Sequence, residues 1–327
     1  MTNTDTRDTA STISQIQRLE QAGCEIIRVA VPDIEAARSI EKIKEAIRIP
    51  LVADIHFDYR LAVQSALSGA DGLRINPGNI GGRRKIEAVA DAAGRQNIPI
   101  RIGVNSGSLE KEIYARHGGA TAEALVESAT RQIALMEELG FDQIKVAIKS
   151  SDVRQTVAAY RLLSQKSDVP LHVGVTEAGG LYTGIVKSAM GIGMLLAEGI
   201  GDTIRVSLTR DPVEEVRVGY EILKALKIRR LGPEIISCPT CGRCRYDLFA
   251  LAEAAEKELM TRTAQITVAI MGCPVNGPGE AKAADVGIAG RREGGVLFKK
   301  GKVVRRLAEH ELLPALLEAV DEFENDA

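Results

Sequence analysis

Four of the five cysteines fall in two short stretches, Cys238-Pro239-Thr240-Cys241-Gly242-Arg243-Cys244 and Gly272-Cys273-Pro274-Val275-Asn276-Gly277-Pro278-Gly279-Glu280. Two thiolates spaced C-x2-C across a tight turn can chelate one soft metal centre. The Pro/Gly-rich surround of Cys273 excludes helix interior and central strand, so a loop must bring that sulfur over the first turn. A zinc ribbon would need a second C-x2-C, and a thioredoxin-type redox pair would leave Cys273 idle. An odd cysteine count and a polar, acidic amino terminus without a secretory h-region speak against a structural disulfide. The spacing favours an iron-sulfur cluster held by Cys238, Cys241 and Cys273, with Cys244 or Glu280 completing a cubane, and zinc as the runner-up.

A second set of polar residues recurs at regular intervals. Arg28, Asp54 with His56, Arg74 with Asn76, Arg101 with Asn105, Lys149, Thr176 with Glu177, and Arg205 with Ser207 each sit at the carboxyl end of a strand-like run or just beyond. Singly, such an arginine is often a surface ion pair and such a histidine a structural one. Together, four arginines and one lysine aimed at one place call for a polyanion, because guanidinium forks pair bidentately with phosphate. Glycine-rich turns at Pro77 to Gly82, Asn105 to Ser108 and Ala178 to Gly180 add backbone donors, so a ligand with two phosphates suits the site.

The elements that must position these groups are short β-rich runs alternating with helices. A helix from Thr9 to Gln21 ends at Gly23, a strand follows from Cys24 to Val31, and Asp33 caps a helix from Ile34 to Ile47. Further strands are expected at Pro50 to Ile55, Gly72 to Ile75, Ile98 to Val104, Gln143 to Ile148, Leu171 to Val175 and Asp202 to Val206, giving seven strands and eight helices. Alternation of this kind means an α/β fold with parallel strands. Polar groups at every strand end favour a (β/α)8 TIM-type barrel, whose strand ends converge on one mouth, over an open sheet, and no G-x-G-x-x-G follows the first strand. With seven strands counted, the first barrel strand is missing. It is expected ahead of Met1, which reads as an internal methionine.

The alternation stops near Arg229, so residues 1–228 form the barrel and residues 229–327 a small α+β domain. The latter reads as a strand from Glu234 to Ser237, a helix from Tyr246 to Met260 and a strand from Ile266 to Ile270, which set both cysteine loops at strand carboxyl ends. Strands at Asp285 to Ala289, Gly295 to Lys299 and Lys302 to Val304, a hairpin turn at Lys300-Gly301, and a helix from Glu309 to Phe323 complete it. Lys299, Lys300, Lys302, Arg305 and Arg306 read as a solvated face that could also meet an acidic electron carrier. Among 327 residues, Lys+Arg at 42 nearly balance Asp+Glu at 44, with no basic tail, so nucleic acid is not an expected partner. The most apolar region, Val186 to Ile200, is broken by Lys187 and Glu198, so a cytoplasmic protein without a membrane span is expected.

The chain resembles the 4-hydroxy-3-methylbut-2-en-1-yl diphosphate synthase family. The resemblance rests on Met1 to Thr6, Ala22 to Pro32, Ala53 to Phe57, Arg74 to Gly81, Val175 to Gly179, Gly199 to Leu208 and both cysteine loops. It implies a barrel followed by a ferredoxin-like iron-sulfur domain, and a 4Fe-4S cluster on Cys238, Cys241, Cys273 and Glu280, with Cys244 outside the set. It implies that 2-C-methyl-D-erythritol 2,4-cyclodiphosphate is opened and dehydrated with two electrons from reduced flavodoxin or ferredoxin. Glu177 would be the acid or base, and Asn276 would lie near cluster and substrate. The family arrangement is a head-to-tail homodimer, one subunit's cluster capping the other's barrel. Competing readings are a zinc-stabilised phosphosugar isomerase or aldolase with Lys149 as a Schiff-base candidate, and a phospholigand-binding regulator without chemistry.

Overall fold

The computed structural model describes residues 1–244, 246–273, 281–291 and 294–325. The chain divides into two compact units, Met1–Ile222 and Leu223–Ala327.

In the first unit, α1 (Thr9–Gln21) starts where the Asp8 carboxylate accepts from Ser11 N–H and buries Ile16 and Leu19. Then follow β1 (Ile27–Ala30), α2 (Ile34–Ala46), β2 (Leu51–Asp54), α3 (Tyr59–Leu67), β3 (Gly72–Ile75), α4 (Pro77–Ile80), α5 (Arg83–Gln96) and β4 (Ile100–Asn105). The rest of the unit runs through α6 (Lys111–His117), α7 (Ala122–Glu138), β5 (Ile144–Lys149), α8 (Val153–Ser164), β6 (His172–Val173), α9 (Leu181–Ala197), β7 (Thr203–Ile204) and α10 (Pro212–Ala225), which crosses into the second unit. Asp33 caps α2 as its position dictates, accepting from Ala36 N–H at 2.9 Å.

Among the described residues of this unit seven strands are present, but ten helices rather than the eight expected. The two additions, α4 and α6, are inserted after β3 and β4, where Asn76-Pro77 and the turn beyond Ser108 begin extra turns within longer connections. Strands β1 to β5 form one parallel sheet in chain order, a single bridge from Val146 to Leu171 continues it, and β6 pairs with β7. The last two strands hold only two residues each, shorter than the runs Leu171 to Val175 and Asp202 to Val206. Register places Asp54 beside Arg74 and Arg74 beside Arg101, so these three side chains share one face of the sheet; Asn105 and Lys149 are likewise paired. Arg28 lies within β1 and Arg101 is the second residue of β4, so both enter from strand bodies rather than strand ends.

The second unit is a five-stranded sheet of β8 (Glu234–Ser237), β9 (Thr267–Met271), β10 (Val286–Gly290), β11 (Gly295–Lys299) and β12 (Lys302–Leu307), in the order β12-β11-β10-β9-β8. The first three are parallel and the last two antiparallel. The β11–β12 turn places Lys300 at φ 48° and Gly301 at φ 74°, the conformation a two-residue hairpin requires. Helices α11 (Leu248–Leu259) and α12 (Leu312–Asn325) contribute Leu248, Ala255 and Leu316 to a core with Val268, Ile270 and Ile288. On the basic face, Lys299 pairs with Glu322 and Arg305 with Glu318 of α12, which supports the solvated reading.

Candidate active site

Asp54 is the hub of the barrel interior. Arg74 Nη1 donates to its Oδ1 at 3.0 Å, and Arg28 Nε and His56 Nε2 each lie 3.6 Å from its Oδ2. Burial works against ionising Asp54, but the adjacent His56 and the Arg28 and Arg74 charges outweigh it and hold the carboxyl well below the usual carboxylate range. Arg74 is 6 % exposed, and the glycine two residues past its β4 neighbour Arg101 makes room for it: a Cβ on Gly103 would lie 2.7 Å from Arg74 Nε. With its amide oxygen turned toward Arg74, Asn105 accepts from Nη2 at 3.3 Å.

Around this hub the positive charges crowd. Burial, then repulsion by Arg205, Arg101 and other neighbours, pulls Lys149 well below its ordinary value. Burial likewise lowers Arg28 to about 9 and Arg101 to about 10, despite attraction from Asp54. Arg205 reaches Glu215 at 3.8 Å, while its Nε is buried with no partner among the described residues. Five basic groups face the carboxylates of Asp54 and Glu215, an excess of positive charge that suits a multiply charged anion.

At the rim, Asn76 Nδ2 donates to Ser108 Oγ at 3.1 Å. Thr176 N–H donates to Ser150 O at 3.2 Å, and Ser207 is half-buried beyond β7. Glu177 is exposed and held at φ 50°, a left-handed conformation that costs a non-glycine residue roughly 1 to 3 kcal/mol and clusters at functional sites. Thr176, Glu177 and Ser207 belong to the β6 and β7 ends but not to the Asp54 network. Glu215, Gly103, Gly174 and His172 escaped the sequence reading. A glycine inside a β-rich run was the one available signal, at Gly103 and Gly174.

In the second unit, the parallel pairing of β8 with β9 brings the two cysteine loops together. Cys238 follows β8, Cys273 lies two residues past β9, and Cys238 Sγ accepts from Gly272 N–H at 3.3 Å. Thr240, β-branched yet at φ 64°, makes the tight turn that returns the chain to Cys241. Cys238, Cys241 and Cys273 line one pocket of about 110 Å³ with Pro239, Thr240, Arg243 and Met271. Cys244 does not line it. Its Sγ donates to Tyr246 O at 3.3 Å, and a Cβ on Gly272 would meet that sulfur at 2.7 Å. Among the described residues no disulfide forms and no three ligating side chains converge on a single ion. Three thiolate donors lining one pocket fit an iron-sulfur cluster, which takes one thiolate per iron. Asn276 and Glu280 lie outside the described residues.

The profile of the GcpE TIM-barrel domain matches residues 1–220, and that of the GcpE protein C-terminal domain matches residues 234–322. The chain belongs to the GcpE family. Among GcpE relatives named 4-hydroxy-3-methylbut-2-en-1-yl diphosphate synthase (flavodoxin), that of Geobacter sulfurreducens is 58 % identical over 99 % of this chain and 92 % of its own length. That of Desulfotalea psychrophila is 56 % identical over 100 % and 90 %, and that of Caldanaerobacter subterraneus subsp. tengcongensis 58 % over 99 % and 91 %. The GcpE match establishes an α/β TIM-barrel fold for the first unit, with a separate C-terminal sheet domain. Among the described residues no helix is long and apolar enough to cross a membrane.

Proposed function

We propose that this chain is an oxidoreductase that opens and dehydrates 2-C-methyl-D-erythritol 2,4-cyclodiphosphate to 4-hydroxy-3-methylbut-2-en-1-yl diphosphate, consuming two electrons in isoprenoid precursor synthesis. The observation that carries this reading is the joint presence, in one GcpE chain, of a cation-rich barrel and a pocket lined by Cys238, Cys241 and Cys273. Residues 1–228 bind the substrate and residues 229–327 carry a 4Fe-4S cluster, held by the three cysteines and Glu280. Such a cluster would supply electrons singly and, at the iron held by Glu280, Lewis acidity. Arg28, Arg74, Arg101, Lys149 and Arg205 hold the diphosphate, with Asp54 and His56 orienting the guanidinium groups. Asn76, Asn105, Thr176 and Ser207 bind along the rim, Glu177 moves a proton, and Asn276 sits near the substrate.

Reduced flavodoxin is the expected donor, with ferredoxin the alternative, in the cytoplasm. A head-to-tail homodimer lets one subunit's cluster serve its partner's barrel. The test is anaerobic turnover of the cyclic diphosphate with each reduced carrier. Formation of the linear diphosphate with consumption of two electrons supports the reading. No turnover by iron-loaded protein with either carrier would overturn it.

A further inference from the structure

His172 stands apart from the Asp54 network, yet it is only 6 % exposed. Its Nδ1 lies 2.8 Å from Thr203 Oγ1, and its Nε2 is buried with no hydrogen-bond partner among the described residues. The residue is firmly seated: the buried Tyr160 hydroxyl donates to His172 O at 2.6 Å and accepts from Ile148 N–H at 3.0 Å, tying β5, β6 and α8 together. Two residues further along, just past β6, a Cβ on Gly174 would lie 3.2 Å from Lys149 Nζ. The ammonium thus lies over a residue without a side chain, one pleat from the imidazole. Lys149 is 7 % exposed, and no acceptor is described for its three protons. A buried ring nitrogen without a donor thus lies two residues from the position over which the ammonium sits.

We propose that His172 is a positioning residue for Lys149, its Nε2 accepting a hydrogen bond from the ammonium when a diphosphate fills the barrel and so aiming that charge at the phosphates. The proposal rests on the diphosphate reading of the barrel. It requires the ring proton on Nδ1, donated to Thr203 Oγ1, which leaves the Nε2 lone pair free. A neutral acceptor suits the place, because a carboxylate there would cancel the charge the phosphates need. Burial and the charges of Lys149, Arg101, Arg28 and Arg205 hold His172 well below the usual imidazole range, so it is neutral. Burial and Arg205, Arg101, Arg28 and Arg74 also disfavour the protonated form of Lys149 in the empty site. A bound diphosphate reverses that balance, so binding draws in a proton.

The experiment is calorimetric titration of the full chain with inorganic pyrophosphate across neutral to mildly alkaline pH, in two buffers of different ionisation heat, for wild type, His172→Leu and His172→Gln. Wild type is expected to bind with proton uptake. His172→Leu should bind about tenfold more weakly, the loss of one hydrogen bond to a charged group, and its affinity should decline with rising pH from a lower pH than in wild type. His172→Gln, whose amide oxygen can accept from the ammonium, should recover most of the affinity. Circular dichroism checks that each variant is folded; if His172→Leu is not, Thr203→Val, which releases the ring tautomer, takes its place against wild type. Wild-type affinity and proton uptake in His172→Leu, or no recovery in His172→Gln, would overturn the proposal. Failure of the wild type to bind pyrophosphate would overturn the diphosphate reading, and the proposal with it.

Discussion

Asp54 shows how one side chain sets the chemistry of the barrel. Its carboxylate is the buried counter-ion of Arg74 and Arg28, so Asp54→Ala leaves two guanidinium groups without it and is expected to cost about 3 kcal/mol in urea unfolding. Because its folded value is depressed, the stabilisation is full above the ordinary carboxylate range and is lost as pH falls toward the folded value. The gap between wild type and variant should therefore hold from pH 7 to about 5 and shrink below about 4. A gap that widens in acid would refute the assignment. Glu177→Gln tests a different kind of residue: it should lower kcat far more than it raises KM, since it alters proton transfer and leaves phosphate contacts alone. Equal losses in both would argue against the proton role. At this scale the gathering of three cysteines and of the arginines around Asp54 was legible because their types and spacing are chemically unusual. Glu215 and His172 were not, since a helical glutamate and a lone strand histidine look alike whether they serve a site or only the surface or core.

At the scale of elements, Gly103 within β4 and Gly174 just past β6 make opposite demands. A Cβ on Gly103 meets the Arg74 guanidinium at 2.7 Å, a side chain that can swing away, whereas one on Gly174 meets the Arg205 backbone carbonyl at 2.3 Å. Gly103→Ala should thus act through the Arg74 guanidinium rather than the backbone and weaken pyrophosphate binding about tenfold, the cost of displacing one charge-assisted contact. Gly174→Ala should push β6 from β7 and destabilise the protein by about 1 to 3 kcal/mol. Thermal unfolding alongside titration separates the two, and a destabilised Gly103→Ala with intact binding would contradict this division. The strand-helix alternation was readable because apolar runs and caps such as Asp33 are local signals. The brevity of β6 and β7 and the inserted α4 and α6 were not, because ladder length depends on pairing with distant strands and the inserts lack a strong apolar period.

For the whole molecule, the sequence placed both cysteine loops at strand ends, and the parallel β8–β9 pair shows why this suffices to gather three sulfurs around one pocket. Cys244, only three residues from Cys241, points elsewhere because Gly272 makes room for its sulfur beneath the loop. The decisive measurement is iron and sulfide content, with EPR of the reduced protein, for anaerobically purified wild type and the Cys238→Ser, Cys241→Ser, Cys273→Ser and Cys244→Ser variants. About four irons and four sulfides per chain are expected in wild type and in Cys244→Ser, and neither in the other three variants, because a hydroxyl is a poor substitute for thiolate. A colourless wild type holding a single zinc, or a Cys244→Ser variant that loses its iron while one of the other three keeps it, would contradict the ligand assignment.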